Sequence, residues 1–277
     1  KRINRRRKTR MDNQINKLYD IIVQKYDDYI NYNKIVEKEK EQIKEKDKAI
    51  GAQFFKENEE NPSPKITEKI KNIFEKYQNI SHLVVASVSD VEKKAFVSFE
   101  SVVKIHFVSH NDAFPFVNCY GTPKTLGIDR LVLAAGATLQ YPKQNRLVID
   151  AGTCVTFDFI DENDNYLGGA ISPGLRLRYE ALHNFTAKLP LLTLESPNHF
   201  IGNSTSESIH SGVVNGLVYE IDGFIEEFKE QFSKFIIILT GGDTEFLAKR
   251  LKNTIFANSN FLLESLNQTF QYKIKND

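Results

Sequence analysis

The stretch from Arg146 to Tyr179 constrains the fold of this 277-residue chain more than any other. An apolar run ends in Asp150, and Gly152 and Thr153 follow it. In the next run every second residue is apolar: Val155, Phe157 and Phe159. Because side chains alternate between the two faces of a strand, the pattern predicts a hairpin with a tight turn. A turn over 161–165 and a third strand over 166–171 should follow.

The residues after the third strand predict a helix. Ser172 and Pro173 are residue types that favour a helix start, and the apolar spacing beyond Gly174 is helical over 175–189. The whole stretch therefore predicts three strands that lead into a helix.

The tip of the hairpin carries residues suited to a phosphate group and its cation. Asp150 offers a carboxylate, Gly152 lets backbone N–H groups approach a ligand, and Thr153 adds a hydroxyl. An ordinary meander, in which Asp and Gly only form turns, explains the same residues equally well, because the pattern Asp-x-Gly-Thr is short and common.

Composition predicts a soluble, cytoplasmic protein with a substantial core. Hydrophobic residues make up 41% of the chain, and its length suits one large domain or two ordinary ones. Cys119 and Cys154 lie in apolar sequence without CxxC or Cys/His spacing, so neither a disulfide framework nor a zinc site is predicted. No apolar run approaches the roughly 18 residues of a membrane span, and we expect no membrane association.

The first 50 residues differ in charge from the remainder. Residues 1–50 contain 15 Lys/Arg and 9 Asp/Glu, a balance of +6, which leaves 22 and 27, or −5, for residues 51–277. A solvated basic tail is the favoured interpretation of residues 1–10, with nucleic-acid binding as the less favoured alternative. Over 12–48 the apolar residues recur every seven positions, which predicts a helical segment with weak coiled-coil character. Residues 51–65 are predicted to be a linker.

From residue 66 onward, strands alternate with helices. The pattern predicts a helix over 66–77, a strand over 83–88, a short helix over 90–96 and a strand over 103–108. Such alternation predicts α/β layers.

A loop over 109–126 delivers Tyr120 to the start of the next predicted helix. Because that helix should begin near Thr125 or Gly127, Asp129 lies in its first turn, where the helix dipole favours a charged carboxylate. Asp129 would therefore be available as a base at neutral pH.

Two later segments complete the predicted α/β pattern. Ser204 to Glu207 is a capping box for an amphipathic helix of about five turns, in which Gly212 and Gly216 permit close packing. An apolar strand over 235–239 then runs into Gly-Gly and a helix, a sequence typical of nucleotide sites, although a simple strand-to-helix turn is the plainer interpretation. A strand or extended segment and a helix over 256–270 close the chain.

Four motifs, taken together, resemble one family. Their order and spacing over about residues 66–277 are similar to those of type III pantothenate kinases of the Bacteroidetes type. The motifs are Tyr120-Gly-Thr-Pro-x-x-Leu-Gly-Ile-Asp129-Arg130, Asp150-Ala-Gly-Thr153, Gly168-Gly-Ala-Ile-Ser-Pro-Gly174 and Thr240-Gly-Gly-Asp243.

The resemblance implies an α/β fold of the actin-like and sugar-kinase ATPase superfamily, with two ribonuclease-H-like halves that face a cleft. The halves would span 66–144 and 145–277, and the first would be incomplete. The resemblance also implies phosphorylation of pantothenate, the first step of coenzyme A synthesis, by a homodimer that uses ATP, Mg²⁺ and a monovalent cation, K⁺ or NH₄⁺.

The resemblance assigns roles to matching positions. Asp129 is similar to the general base that accepts the proton of the pantothenate hydroxyl, and Asp150 to the ligand of the monovalent cation. Arg130 suits the pantothenate carboxylate. The positions similar to substrate contacts are Tyr120, Gly127, Ile128, Asp129, Arg130 and Thr205. The positions similar to the ATP side are Gly152, Thr153, Gly241 and Gly242.

One family motif is missing from residues 1–65. Family members begin with a strand that ends in Asp-x-Gly-Asn-Thr, followed by a Lys, and these residues hold the ATP phosphates and Mg²⁺. No such sequence occurs there. Either the natural N-terminus has been replaced, or the chain is a non-catalytic relative with a regulatory or a nucleic-acid or partner-binding role. Another sugar-kinase-like phosphotransferase is a third hypothesis.

Overall fold

A computed structural model of the chain describes residues 63–77, 80–86, 96, 99–232 and 234–276. All of them belong to one compact unit. The predicted extension over 1–50 with its heptads, the predicted linker up to residue 62 and most of the predicted helix over 90–96 lie outside the described residues. Within these ranges, no helix combines the length and the apolar character needed to cross a bilayer.

The N-terminal part of the described chain forms a small layer of its own. Helix α1 spans Ser63–Lys76 and starts earlier than predicted, because Pro64 is well tolerated in the first turn of a helix. Strands β1 (His82–Val85) and β2 (Lys104–Phe107) pair in parallel as a two-stranded sheet. The buried residues of this layer are Ile70, Val85, Phe96, Phe99 and Val103.

A six-stranded sheet forms the centre of the fold, with the strand order β3-β6-β5-β4-β7-β8. Its strands are β3 Val117–Asn118, β4 Arg146–Ala151, β5 Cys154–Ile160, β6 Asn165–Pro173, β7 Ile236–Thr240 and β8 Phe256–Ala257. Strand β5 is antiparallel to β4 and β6, whereas β7 is parallel to β4 and β8 to β7. If β4, β5, β6, β7 and β8 are numbered 1 to 5, their order across the sheet is 3-2-1-4-5, which is the strand order of a ribonuclease-H-like half. The predicted α/β fold is therefore confirmed.

Helices cover both faces of the central sheet. They are α2 Ile128–Gln140, α3 Leu175–Asn184, α4 Thr205–His210, α5 Gly216–Gln231 and α7 Phe261–Asn276, with a short α6, Thr244–Ala248, after β7. On the face that carries Val148 and Ile238, the buried core includes residues of α2 and α7. On the face that carries Leu147 and Ile149, the buried core includes residues of α3, α4 and α5.

The strand after the hairpin is longer than predicted, and the helix after it is shorter. Strand β6 continues to Pro173 because its last residues pair with Cys154 and Val155 of β5. The predicted cap at Ser172 is therefore wrong: Gly174 precedes α3. Helix α3 ends at Asn184 rather than residue 189, and Pro190 disfavours helical backbone at the residue before it.

The long helix after residue 204 contains an interruption that the sequence did not predict. Its predicted N-terminal cap is confirmed, since the Ser204 hydroxyl accepts a hydrogen bond from the Glu207 backbone N–H at 3.3 Å. A π-helical segment, Ser211–Asn215, joins α4 to α5. A Cβ built on Gly212 or Gly216 would meet no atom within 4 Å, so the close packing permitted by these glycines is not used within the subunit.

Candidate active site

Asp150 lies near the carboxyl ends of the neighbouring parallel strands β4 and β7. The two strands are parallel neighbours, and Asp150 is in register with Thr240. Gly241 then turns with φ of +95°, and a Cβ there would lie 2.3 Å from the Ala151 carbonyl and 2.4 Å from the Asp150 carboxylate. Because only glycine fits this close approach, the chain brings the two predicted nucleotide-side motifs into contact. Ligands commonly bind at such carboxyl ends of parallel strands in α/β sheets.

The carboxylate of Asp150 is held in an unusual electrostatic environment. Burial first, and then the nearby charges of Asp129 and Asp158, together raise its pKa to about 7. Burial also raises the pKa of Asp243, which follows the two glycines. Within the described part of the chain, no group of three or more His, Cys, Asp or Glu side chains is arranged to hold a metal ion. Any cation at Asp150 would therefore need main-chain, water or ligand oxygens as well.

The turn between β4 and β5 packs against Gly174, the residue that precedes α3. The Gly174 backbone N–H donates to the Thr153 carbonyl at 3.0 Å, and a Cβ on Gly174 would lie 1.9 Å from the Gly152 carbonyl. The Thr153 side chain is exposed. Both cysteines, Cys119 and Cys154, are free and exposed, although they lie in apolar stretches of sequence.

Asp129 occupies the first turn of α2, as predicted. Its Oδ1 accepts a hydrogen bond from the Arg130 backbone N–H at 2.8 Å, and the side chain remains exposed. A Cβ on Gly127 would lie 2.3 Å from the same oxygen, so the glycine leaves room for the carboxylate. The Ile128 side chain is buried in the core beneath α2, which leaves only its backbone for a contact with a ligand.

Arg130 points into the sheet and forms a buried ion pair with Asp158. Its Nε and Nη2 atoms lie 2.8 and 2.7 Å from the same carboxylate oxygen. Burial opposes the charged guanidinium, but the hydrogen bond and charge of Asp158 outweigh it and raise the pKa of Arg130. The Tyr166 hydroxyl also donates to Asp158, at 2.5 Å, and burial followed by the Asp158 charge raises the pKa of this phenol.

Tyr120 covers the Arg130 guanidinium from the loop side. The guanidinium carbon lies 5.7 Å from the centre of the Tyr120 ring, within the range of a cation–π contact. Gly168 has φ of +100°, and a Cβ there would come within 3.1 Å of the same ring. The loop, the helix start and the hairpin therefore bring together four predicted site residues: Tyr120, Asp129, Arg130 and Asp150.

The sequence matches the family model for type III pantothenate kinase over residues 39–227. The type III pantothenate kinase of Flavobacterium johnsoniae is 74% identical over 212 residues, which cover 76% of this chain and 87% of that protein. The enzyme of the same name from Flavobacterium psychrophilum is 63% identical over 205 residues, 74% of this chain and 85% of that protein. The chain belongs to the type III pantothenate kinase family. The predicted family, and with it the class of kinase, is confirmed.

A solved structure shares the fold of this pantothenate kinase family member at low sequence identity. It comes from a Campylobacter jejuni protein named for the Baf family of transcriptional activators, and it aligns with a TM-score of 0.52 at 20% identity over 74% of this chain and 89% of that one. At this identity the likeness concerns the fold alone.

The described contacts do not link Thr205 with the other predicted pantothenate contacts. It is the first residue of α4, is exposed, and shares no hydrogen bond with the cluster around Asp129 in the described part of the chain. Its predicted role in the pantothenate kinase site remains a prediction.

Sequence reasoning missed two residues that contact the predicted site residue Arg130 or its partner, Asp158 and Tyr166. Thr156 and Asp158 alternate with Phe157 and Phe159, so they resemble the solvent face of a half-buried strand. In the structure that face is covered by α2, and Asp158 is completely buried. The available signal was an Asp within the strand together with an Arg in the first turn of the predicted helix.

Proposed function

We propose that this chain transfers the γ-phosphoryl group of ATP to the hydroxyl of pantothenate, the first step of coenzyme A synthesis. The observation that carries the proposal is a pair of carboxylates whose charges act on each other: an exposed Asp129 at a helix start and a partly buried Asp150 where strands β4 and β7 end. Phosphoryl transfer depends chiefly on positioning and on charge stabilisation, and these two groups serve those two needs.

On the acceptor side, we assign Asp129 as the general base. It is exposed and held by the Arg130 backbone N–H, so it can accept the proton of a hydroxyl group as that oxygen attacks phosphorus. Arg130 and Tyr120 would contact pantothenate, with the backbone of Gly127 and Ile128 beside them. Thr205 completes the proposed set of substrate contacts.

On the donor side, we assign Asp150 to a monovalent cation, K⁺ or NH₄⁺. The residues fit such an ion, because a buried carboxylate with acidic neighbours is stabilised by a positive charge. The ion would help to neutralise phosphate charge, as would Mg²⁺ bound with ATP. Thr153 on one turn would contact the phosphates through its hydroxyl and backbone N–H, and Gly241 and Gly242 on the other turn through backbone N–H groups. The Gly152 N–H already donates to the Cys154 carbonyl at 2.9 Å, so Gly152 would serve by leaving room for the phosphates.

The proposal includes a homodimer in the cytoplasm. A Cβ on Gly212 or Gly216, where α4 continues into α5, would meet nothing within 4 Å. Tyr219 of α5 and Phe200, whose rings are in contact, expose 51% and 68% of their surface. A second copy of α4 and α5 could bury this surface. The free thiols of Cys119 and Cys154 fit a reducing compartment.

A non-catalytic role is the alternative to this proposal. Residues 1–65 contain no Asp-x-Gly-Asn-Thr motif, which holds ATP phosphate in the family. Each lost charge-assisted hydrogen bond to phosphate costs about 1.5–3 kcal/mol, so the loss of two or three would slow transfer roughly a hundredfold or more. We therefore expect residues 1–277 alone to show no pantothenate-dependent consumption of ATP.

A coupled ATP assay tests the proposal. The same chain with a family-type Asp-x-Gly-Asn-Thr strand at its N-terminus should phosphorylate pantothenate, and should do so with K⁺ or NH₄⁺ but not with Na⁺ alone. Equal rates in Na⁺ and K⁺ would remove Asp150 from the cation role. No turnover under any of these conditions would favour the non-catalytic candidate, whereas turnover by the unmodified chain would mean that residues 1–65 supply an unrecognised phosphate site.

A further inference from the structure

We propose that Asp158 is a positioning residue for the phosphoryl acceptor, which holds the Arg130 guanidinium in the orientation that binds the acceptor's carboxylate. This inference rests on the proposed function, in which Arg130 contacts pantothenate. Asp158 itself touches no substrate in this scheme and acts through Arg130.

The contacts of Asp158 account for both of its oxygens. Oδ1 receives the Nε and Nη2 atoms of Arg130 at 2.8 and 2.7 Å, together with the Tyr166 hydroxyl at 2.5 Å. Oδ2 accepts a hydrogen bond from the Thr156 hydroxyl at 3.0 Å. The Asp158 side chain is 0% exposed and that of Arg130 is 7% exposed. The guanidinium is thus fixed in a water-excluded position.

The same arrangement leaves part of Arg130 unused. Its Nη2 atom lies 2.7 Å from Asp158 Oδ1 but off the direction of a hydrogen bond, and it makes no hydrogen bond with any other residue that the structure describes. Buried donors without a partner are rare in native proteins because they lose the hydrogen bond that water would give. A ligand carboxylate would supply the missing acceptor, and a guanidinium suits a carboxylate in both geometry and charge.

A purely structural role explains this ion pair less well. Buried ion pairs contribute little to net stability, and apolar residues of similar volume often replace them without loss. Here the pair lies one residue after Asp129, on the helix start that also presents the proposed base, and Tyr120 covers the guanidinium. The pair is therefore placed where fixing the direction of Arg130 would matter for the acceptor.

Calorimetric titration of pantothenate into residues 1–277 tests the inference without any need for turnover. Asp158→Asn keeps the shape of the side chain and removes its charge, so the guanidinium loses its fixed orientation. We expect the Kd for pantothenate to rise by about tenfold or more, as for the loss of a charge-assisted contact. In an Arg130→Ala background, Asp158→Asn should change Kd less than about twofold, because the residue acts only through Arg130.

Asp164→Asn is the matched control. Asp164 pairs with Arg146, a fully buried arginine at the start of β4 and at the opposite end of that strand from Asp150, at 2.8 Å. Its φ of +62° suits Asn as well as Asp. This variant also deprives a buried arginine of its charged partner, so it should lower the midpoint of thermal unfolding but leave the Kd for pantothenate within about twofold.

The outcomes separate the inference from the proposed function. If the unaltered chain does not bind pantothenate, the acceptor assignment fails, and the role of Asp158 fails with it. If the unaltered chain binds and Asp158→Asn binds equally well, or weakens binding independently of Arg130, only the positioning role is overturned. If Asp158→Asn does not fold, Tyr166→Phe decides, since it keeps the ring but removes one bond to Asp158. An unchanged Kd in that variant overturns the inference, and a Kd raised by about threefold supports it.

Discussion

The two faces of strands β4 and β5 are built from alternating residues of one hairpin but meet different demands. One face is entirely apolar and packs against α3, α4 and α5 through Leu147, Ile149, Phe157 and Phe159. The opposite face, beneath the start of α2, carries Asp150, Thr156 and Asp158. The same backbone therefore supports a purely apolar core on one side and, beside the apolar residues Val148 and Ile160, a cluster of charges on the other.

The difference between the faces shows where stability is gained and where it is lost. On the apolar face, Phe159 stacks on Phe228 and Phe232 with ring centres 5.0 and 4.1 Å apart, and Phe157 stacks on Phe224 at 4.3 Å. On the polar face, the raised pKa of Asp150 means that burial and like charges oppose its ionised form. We infer that the apolar face stabilises a fold in which the polar face can be arranged for chemistry.

The largest effect on folding should come from the apolar face. Phe159→Ala removes a ring that is 2% exposed and stacked on two others, which should lower the free energy of unfolding by about 3–5 kcal/mol. Ile171→Ala, on the other face of the same sheet and 63% exposed, should change it by less than about 0.5 kcal/mol. Urea unfolding followed by circular dichroism measures both. Similar losses for the two variants would contradict the assignment of stability to the apolar face.

The largest effect on chemistry should come from the polar side. In the chain that carries the family's N-terminal strand, Asp129→Asn should lower the rate by roughly a hundredfold or more, because the amide keeps the shape but cannot accept a proton. Binding of pantothenate and the free energy of unfolding should stay close to those of the parent. If calorimetry showed binding lost in a folded protein, Asp129 would be a binding residue and the base would lie elsewhere.

An intermediate effect is expected where the two nucleotide-side turns meet. Gly241→Ala places a Cβ 2.3 Å from the Ala151 carbonyl at a φ of +95°, so it should destabilise the fold by about 1–3 kcal/mol. Gly242→Ala is the matched control, because a Cβ there meets nothing within 4 Å. Its effect on unfolding should stay within about 0.5 kcal/mol. Thermal denaturation measures both variants, and an equal change in their unfolding midpoints would contradict the described geometry of the Gly241 turn.

Much of the fold could be predicted because local patterns and tertiary structure agree. The hairpin, the strand over 236–240 and the Ser204 cap follow from alternation, apolar runs and capping chemistry, which depend on neighbours in sequence. Element ends were less certain: β6 runs to Pro173 because pairing with β5 overrides the helix-start signal of Ser172 and Pro173.

The candidate site could be predicted only where its residues stand in motifs. Asp129 and Asp150 were singled out by their places at a helix start and at a hairpin tip. The family resemblance added Arg130 and gave all three a role, and the structure brings them together. Asp158 and Tyr166 were missed, because whether a polar residue in a strand faces water or a covering helix depends on distant parts of the chain. The π-helical segment Ser211–Asn215 carried no signal that we used, since its residues fit an ordinary amphipathic helix.

Substitutions at Gly212 and Gly216, in the helices that cover the apolar face, should have the smallest effect on the stability of the subunit. They should instead change its assembly. A Cβ on Gly212 or Gly216 meets nothing within 4 Å, so larger side chains there fit the single subunit, and replacing a helical glycine should itself stabilise the helix by up to about 1 kcal/mol. In the proposed dimer a second helix approaches these glycines, and leucine at both positions would hold it away.

Gly212→Leu combined with Gly216→Leu should therefore give monomers or aggregates in sedimentation velocity, without loss of helix content. Gly216→Ala is the matched control: it adds one methyl group and the same gain in helix propensity, and it should leave the dimer largely intact because a methyl group blocks far less than a leucine. If the double leucine variant sediments as an unchanged dimer, the subunits meet through another surface. The open space at these glycines would then be ordinary solvent-exposed helix.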